Sequence, residues 1–295
     1  MNRLYTLALA FLIITACKHK SDTSSSETAP PAVVDETEIA VDSLLYFRHH
    51  YQQTDMLSRR FPGITLEKSM EIQLRMLEKE LKAGARHIGW KMGGTVTDDS
   101  ASYNPLFGYI LDKNVIQQDS AVLAENFPSA QVEVEGEIGF VMKKDFQNGA
   151  KSLEELKAGI DYVVNAVEFA KAVAIPLNGN AETMTINHVM ASGLGHAGII
   201  IGAGRADIEE FDMENETVKC FIDGELAAEG TATNVYGTPL NALYSLVNML
   251  PEQGIYLKKG DIIITGSLYK NPVIDSTCAV KLAFSSLGDI SFSME

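Results

Sequence analysis

The strongest constraint on the fold is an acidic strand-like segment, residues 131–141, with the sequence QVEVEGEIGFV. Because side chains alternate between the two faces of a strand, its apolar residues share one face and its carboxylates share the other. The apolar residues are Val132, Val134, Ile138 and Phe140. The carboxylates are Glu133, Glu135 and Glu137. Successive carboxylates on one face stand about 7 Å apart, so this face needs solvent, a cation or raised pKa values to offset the repulsion.

Two interpretations of the acidic face stay open at this point. It is either an exposed strand face in an acidic protein or a site for a hard cation, because Mg²⁺ takes oxygen ligands and keeps positions for water or substrate. A second segment, 162–170, is an apolar strand-like run that carries a single acid, Glu168. A buried carboxylate is costly unless it is paired or metal-bound. Glu168 is therefore either a third metal ligand or an acid that faces water at a strand end.

The chain of 295 residues carries 24 Lys and Arg against 39 Asp and Glu, and this net charge of −15 argues against nucleic-acid binding.

The pattern of predicted helices and strands favours one large α/β (α+β) domain. Helical spacing predicts helices over 65–83 and from Pro239 onward. Strand-like runs dominate the second half, at 131–142, 198–201, 217–222, 261–265 and 278–284. Since few connections resemble helical crossovers, we expect much antiparallel pairing among these strands.

The N-terminal segment resembles a secretory signal rather than part of the fold. Residues 1–17 join a basic start to a short apolar run that ends in Ile14-Thr15-Ala16-Cys17. This ending resembles the bacterial lipobox and predicts lipidation of Cys17; the alternative is a plain signal peptide with an incidental cysteine. Residues 18–39 are rich in Ser, Thr, Pro and acids, which predicts a disordered tether. We therefore expect a domain over 40–295 that is lipid-anchored in the cell envelope, on the periplasmic side or at the cell surface.

The motifs from residue 64 onward resemble the fumarylacetoacetate hydrolase superfamily, in particular its 2-keto-4-pentenoate hydratase branch, which includes 2-oxohept-3-enedioate hydratase and 4-oxalocrotonate decarboxylase. Gly89-Trp90-Lys91-Met92-Gly93 is similar to the Gly-Tyr-Lys-Ile-Gly of the family, and 135–141 is similar to its Glu-x-Glu strand. Glu168 lies where the third acidic ligand is expected. Further matches in consistent order occur at 107–111, 237–240, 260–261 and 265–268.

The resemblance implies a mixed, mostly antiparallel β-roll or barrel-like core with flanking helices. It also implies a divalent-metal lyase, of hydratase or decarboxylase type, that acts on a small unsaturated 2-oxo acid such as 2-oxopent-4-enoate. It implies Mg²⁺ or Mn²⁺ held by Glu135, Glu137 and Glu168. Lys91 would be a charge partner or proton carrier, the alternative being a surface lysine. Thr95 matches a polar family position near the substrate. The other predicted substrate-binding residues, which would hold the carboxylate unless they serve only the local turn, are Thr265 and Ser267. Family members commonly self-associate, so a homo-oligomer is expected, with no nucleic-acid partner.

Several polar positions depart from the family pattern. Lys171-Ala172-Val173 stands where the family has Asp-Ser-Arg, Ala191-Ser192-Gly193 replaces Ala-Asp-Asn, and Val96 replaces a serine. His196, or alternatively His188, could take over proton transfer, although a lone histidine is often structural. These losses keep two other functions open: a C–C bond hydrolase of acylpyruvates, and a non-catalytic lipoprotein that binds an organic acid. Two cysteines on predicted strands, Cys220 and Cys278, are either a disulfide pair or buried free thiols.

Overall fold

The computed structural model describes residues 35–95, 106–127 and 131–295, in which two β-sheets are flanked by short and medium helices. The helices are α1 (Glu36–His49), α2 (Met56–Arg60), α3 (Leu66–Lys82), α4 (Leu153–Lys157), α5 (Ile186–Ala191) and α6 (Pro239–Met249). The strands are β1 (His87–Gly93), β2 (Leu106–Leu111), β3 (Val115–Ile116), β4 (Ala121–Val122), β5 (Val132–Met142), β6 (Ile160–Ala170), β7 (His196–Ile201), β8 (Thr217–Ile222), β9 (Glu225–Thr231), β10 (Ile262–Ser267), β11 (Val273–Ile274), β12 (Cys278–Phe284) and β13 (Gly288–Met294).

The larger sheet has the order β2-β1-β10-β5-β6-β7-β3, with β11 also paired to β5. The smaller sheet has the order β4-β13-β12-β8-β9. Most neighbours in the described sheets are antiparallel, and the parallel pairs are β1 with β10, β3 with β7 and β4 with β13. The predicted mixed, mostly antiparallel α/β (α+β) fold is therefore confirmed.

Two long central strands, β5 and β6, position the candidate site. Each has 11 residues, and they pair antiparallel over nearly their full length. One edge of β5 is shared by two later segments, because β10 pairs with its C-terminal half and β11 with its N-terminal half. The chain between β10 and β11 leaves the sheet beside the middle of β5, and so it brings loop residues next to the acidic face.

The alternating pattern of β5 places its apolar face in the core as predicted. Val132, Val134, Ile138 and Phe140 are all 0% exposed. Burying side chains of this size contributes about 1.5–3 kcal/mol each relative to leaving them in water. This core fixes the register of β5, because a slip of one residue would move the glutamates into the apolar layer.

The two predicted helices form with the expected caps. The Thr65 hydroxyl accepts a hydrogen bond from the Lys68 N–H and begins α3, and the Thr238 hydroxyl accepts one from the Asn241 N–H and begins α6 at Pro239. The buried amide of Gln73 on α3 donates to the carbonyls of Phe107 and Met190, which joins this helix to β2 and α5. No helix in the described residues is long and apolar enough to cross a membrane.

The start of the folded region differs slightly from the sequence prediction. The predicted tether 18–39 overlaps α1, which begins at Glu36, because the Asp35 carboxylate accepts hydrogen bonds from the N–H groups of Thr37 and Glu38. The predicted signal segment with Cys17 and the rest of the tether up to residue 34 lie outside the described residues. Cys220 and Cys278 are buried free thiols, so the alternative of a disulfide between them does not hold here.

Candidate metal centre and the adjoining cavity

Three carboxylates converge where β5 and β6 pair. Glu135 lies directly opposite Glu168 in the antiparallel register, and Glu137 follows two residues later on the same face of β5. One candidate ligand oxygen from each of these three glutamates lies within 4.8 Å of the other two. Glu137 and Glu168 are 0% exposed. The strand face is therefore exposed only at Glu133, and the interpretation of a wholly solvated acidic face is wrong for the remaining carboxylates.

The proximity of the three acids perturbs their protonation. Burial, together with the negative charge of Glu168, raises the pKa of Glu135 to about 8. Burial and the charges of Glu168 and Glu135 raise the pKa of Glu137 well above its usual range. Burial also opposes ionisation of Glu168, but the nearby Lys91 and the hydrogen bond from His196 outweigh it and lower the pKa of this carboxyl. A cluster of this kind favours a bound cation, because a cation would offset the repulsion among the acids.

The hydrogen bonds of these acids leave free oxygens inside the protein. The Gly266 N–H donates to Glu137 Oε2 at 2.6 Å, and the Asn271 side chain donates to Glu135 Oε1 at 3.0 Å. Glu137 Oε1 and Glu168 Oε2 are buried and have no hydrogen-bond partner among the described residues. Buried polar atoms are normally satisfied, and carboxylate oxygens are the ligands that hard divalent cations prefer. The residues present therefore fit a divalent cation.

The backbone at Gly266 is shaped for its contact with Glu137. Gly266 has φ +110°, where an L side chain is strained, and a Cβ there would come within 1.9 Å of Thr95 Oγ1. The pairing of β10 with β5 is irregular between Ile264 and Ser267, where the strand bulges. The bulge turns the Gly266 N–H toward the carboxylate, and only glycine fits beside Thr95.

Lys91 and His196 both contact Glu168, from different strands. Lys91 Nζ on β1 lies 3.2 Å from Glu168 Oε1 and donates to the Leu194 carbonyl at 3.1 Å. His196 Nδ1 at the start of β7 lies 2.9 Å from the same Oε1 atom. Lys91 is 3% exposed, which excludes the surface-lysine alternative. Although burial opposes its charge, the charges of Glu168, Glu135 and Glu137 raise the pKa of Lys91, so this amine is a cation beside the three acids.

His196 is held as a neutral ring. Burial lowers the pKa of His196, against the opposing effect of Glu168. A neutral imidazole beside a carboxylate donates through Nδ1, and its Nε2 is then a hydrogen-bond acceptor. This Nε2 is buried and has no partner among the described residues.

A cavity of about 830 Å³ opens beside the carboxylates. Its polar lining includes Lys91, Thr95, Glu135, Lys171, Ser267 and Asn271. Its apolar lining includes Met184, Ile186, Val189, Leu194 and Val273. The volume suits a small organic molecule, and the charged groups stand where such a molecule would meet the metal centre.

The predicted substrate-binding residues separate into two groups. Thr95 and Ser267 line the cavity, and the Ser267 hydroxyl donates to the Tyr269 carbonyl at 2.9 Å. Thr265 does not lie on the described cavity wall; it is fully buried, and its hydroxyl donates to the Ile138 carbonyl at 3.0 Å. The Thr265 hydroxyl therefore joins β10 to β5, and it contributes neither to the described cavity wall nor to a local turn.

His188, the alternative proton carrier, is structural. The Thr185 N–H donates to its Nδ1 at 2.9 Å, and its Nε2 lies 2.9 Å from the Phe61 carbonyl, to which it donates. Both ring nitrogens are therefore used within the fold. Val96, one of the departures from the family pattern, lies outside the described residues.

Sequence reasoning missed two residues near the site. Asn271, in the loop between β10 and β11, bridges Glu133 and Glu135 with its amide. Arg48 on α1 donates to the Ser192 carbonyl at 2.6 Å and to the Tyr109 hydroxyl at 3.0 Å, and so it holds the loop that carries Leu194 and His196. Neither residue lies in a recognisable motif, and their roles depend on long-range contacts.

Comparisons with known proteins find relatives of similar sequence. The chain is 29% identical over 215 residues to a 2-hydroxyhexa-2,4-dienoate hydratase of Comamonas testosteroni, covering 72% of this chain and 80% of that enzyme. It is 23% identical over 244 residues to a 2-oxo-hept-4-ene-1,7-dioate hydratase of Escherichia coli, covering 81% and 91% of the two chains.

The fold is similar to that of the 4-oxalocrotonate decarboxylase from Pseudomonas putida G7, in a structure complexed with magnesium and adipate. The TM-score is 0.81 at 21% identity, over 88% of this chain and 97% of that one. No protein-family model matches the chain. The relatives support the resemblance to the hydratase branch of the fumarylacetoacetate hydrolase superfamily, and the structural match confirms the fold class.

Proposed function

We propose that this chain is a divalent-metal-dependent lyase of the 2-keto-4-pentenoate hydratase branch that acts on a small unsaturated 2-oxo acid such as 2-oxopent-4-enoate. One observation carries the proposal. Three glutamates place candidate ligand oxygens within 4.8 Å of one another, and two buried oxygens of this group lack partners among the described residues. The names of the relatives, which are hydratases and a decarboxylase of unsaturated oxo acids, support the reaction class.

Glu135, Glu137 and Glu168 would hold the cation, and Mg²⁺ or Mn²⁺ suits an all-oxygen set. When bound, such a cation supplies Lewis acidity that polarises a 2-oxo group and stabilises enolate charge. Asn271 and the Gly266 N–H orient two of the carboxylates through hydrogen bonds. The cation site is thus supported by groups that hold its acids in place.

Lys91 is the group that would pair with the substrate carboxylate. Its raised pKa keeps the amine protonated, so it acts as a cation rather than as a base. It lines the cavity while it contacts Glu168.

In the proposed hydration, a proton moves along the dienol to give a conjugated 2-oxo-3-enoate. Water then adds at C4 while C3 takes up a proton.

His196 would act from behind Glu168 rather than on the substrate. Its Nδ1 contacts Glu168 Oε1 at 2.9 Å, and it is not among the described residues of the cavity wall. The side chain therefore orients this carboxylate and holds its charge. We assign His196 a positioning role, in place of the catalytic role that was predicted from the sequence.

The experiment that tests the proposed function is turnover of 2-hydroxypenta-2,4-dienoate, followed by the loss of its ultraviolet absorbance, with metal-free protein and after addition of Mg²⁺ or Mn²⁺. We expect turnover only with metal, and its loss in Lys91→Met. The 4-hydroxy-2-oxo acid should accumulate as the product. If the absorbance still falls only at the uncatalysed rate after Mg²⁺ or Mn²⁺ is added, the proposal is contradicted.

A second candidate is a non-catalytic organic-acid-binding protein. It is favoured by the positions where family polar residues are replaced, since Val173 stands where the family has an arginine and is a buried apolar residue here. A thermal shift with oxalate in the presence of Mg²⁺, without turnover of dienoates or acylpyruvates, would support this candidate. Release of pyruvate from an acylpyruvate would instead indicate the C–C hydrolase.

We also propose that the domain is tethered to a membrane through lipidated Cys17, on the periplasmic side or the cell surface. The lipobox-like sequence Ile14-Thr15-Ala16-Cys17 supports this. Expression of the full chain in a bacterium that processes lipoproteins should place it in the membrane fraction, and Cys17→Ser should release it from that fraction. Equal membrane association of both forms would contradict the anchor.

Self-association of this chain into a homo-oligomer remains an expectation from the resemblance. Gel filtration with light scattering tests it.

A further inference from the structure

A second, smaller cavity is lined in part by His196, the residue that also contacts Glu168. Its volume is about 180 Å³, room for roughly six waters. The residues that matter for its chemistry are Arg48, Lys113, Asn114, Asn126, Lys171 and His196. Among the described residues that line it, none is an aspartate or a glutamate. In a chain of net charge −15, a cavity whose described lining holds three cations and no acid is distinctive.

Two of these cations have no ionic partner among the residues that the structure describes. Within that part of the chain, Arg48 donates to neutral acceptors, namely the Tyr109 hydroxyl and the carbonyls of Ser192 and His196. Neither Arg48 nor Lys171 pairs with a carboxylate in the part of the chain that the structure describes. By contrast, Lys113 is neutralised by Glu80, whose carboxylate lies 2.6 Å from its amine. The cavity wall therefore carries positive charge that the described protein groups do not balance.

An unsatisfied donor in the wall adds a second, independent observation. Arg48 Nε, a donor, is buried without a hydrogen-bond partner among the described residues. Buried donors of a charged guanidinium are rarely left without an acceptor, because an unpaired buried donor is destabilising. A ligand that accepts hydrogen bonds would satisfy the arginine.

We propose that this cavity is a binding site for a small oxyanion, a carboxylate or a phosphate, held by Arg48 and Lys171. Guanidinium groups bind these anions through paired hydrogen bonds, and the amides of Asn114 and Asn126 supply further polar contacts. The volume excludes a nucleotide or a long acid. The site is distinct from the metal centre, although Lys171 lines both cavities. The proposal does not depend on the proposed lyase activity.

The test uses metal-free protein in chloride-free buffer, titrated separately with acetate and with inorganic phosphate by isothermal titration calorimetry. We expect saturable binding of at least one of the two anions, and at least tenfold weaker binding in Arg48→Gln. The matched control is Arg205→Gln, because Arg205 also donates to neutral carbonyls, those of Gly202 and Gly204, and lies away from this cavity. The Arg205→Gln control should bind the anion as tightly as the unaltered protein does. Whichever of acetate and phosphate binds more tightly identifies the ligand class.

Absence of saturable binding of both anions, or equal loss in the Arg48 and Arg205 variants, would overturn the proposal. Arg48→Gln could also loosen α1 and so weaken binding indirectly. A second measurement therefore uses crystals of the unaltered protein. Crystals soaked in selenate should show anomalous selenium density within hydrogen-bond distance of Arg48. Its absence at saturating selenate, together with no detectable calorimetric binding, would reject the site.

Discussion

Glu135 and Glu168 are directly opposite each other on β5 and β6, although they are distant in the sequence. Directly opposed residues on antiparallel strands have Cβ atoms about 4.5–5.5 Å apart, where like charges destabilise a sheet. Here the repulsion is countered from the sides, by Lys91 against Glu168 and by the Asn271 amide against Glu135. The arrangement costs stability in the absence of a cation, which is typical of a binding site rather than of a structural pair.

Removing one carboxylate should abolish tight divalent-metal binding. Glu137→Gln should weaken Mn²⁺ binding by more than about 100-fold, beyond the 10- to 100-fold expected for a supporting residue. Glu133→Gln is the matched control, because Glu133 lies on the same face of β5 but is exposed. Electron paramagnetic resonance of free Mn²⁺ measures both affinities. Similar affinities for the two variants would contradict the assignment of Glu137 as a ligand.

Lys91 and Glu168 should be strongly coupled in stability. Lys91→Met leaves the buried Glu168 charge with less compensation, and we expect it to lower the free energy of unfolding by about 3–5 kcal/mol. The double variant with Glu168→Gln should be more stable than the sum of the single effects predicts, by more than about 1 kcal/mol. Urea unfolding of metal-free protein gives the four values of this double-mutant cycle. Additive effects would show that the pair is not energetically linked.

Gly266 should be intolerant of a side chain for a local reason. Gly266→Ala combines a strained positive φ with a Cβ that would lie 1.9 Å from Thr95 Oγ1. Gly260→Ala is the matched control, since its φ is +87° but nothing lies within 4 Å of the added Cβ. We expect the control to cost about 1–2 kcal/mol, and Gly266→Ala to cost about 1–3 kcal/mol more.

Thermal or urea unfolding measures both glycine variants, and Thr95→Ala should partly rescue Gly266→Ala. Gly266→Ala should also weaken divalent-metal binding, because the Gly266 N–H orients Glu137. Equal losses of stability in the two glycine variants would mean that the Thr95 contact is unimportant.

The pair His87 and Asp261, 3.9 Å apart, predicts opposing pH effects on stability. Burial lowers the pKa of His87 to about 4, so between about pH 4 and 6.5 the unfolded state binds more protons and stability rises with pH. Burial raises the pKa of Asp261 to about 6, so from its ordinary value of 3.8 up to about 6 the folded state binds more protons and stability falls with pH. The two slopes therefore oppose each other in the unaltered protein.

Single substitutions should expose each slope. Relative to the unaltered protein between pH 4 and 6, Asp261→Asn should gain stability as the pH rises, whereas His87→Gln should lose it. Each difference can reach about 1.4 kcal/mol per pH unit. Urea unfolding at intervals of half a pH unit measures these slopes. Parallel curves for all three proteins would contradict the assigned protonation states.

Local patterns in the sequence were sufficient to predict many elements and several site residues. The alternation around Glu135 and Glu137 predicted a strand with one apolar face, because period-two patterning depends only on neighbouring residues. Capping residues and apolar spacing predicted α3 and α6 for the same reason. The family motif around Lys91 marked a residue that the structure buries beside the acids.

The sequence by itself determined the acidic strand, its apolar face and the kinds of residue available for a hard cation. Only the tertiary structure decided that Glu168 lies opposite Glu135, that Thr265 faces away from the cavity wall and that Arg48 reaches the loop before β7. The physical reason is that strand register and loop position depend on the packing of segments far apart in the chain. Local periodicity carries no information about which distant partner a side chain will meet.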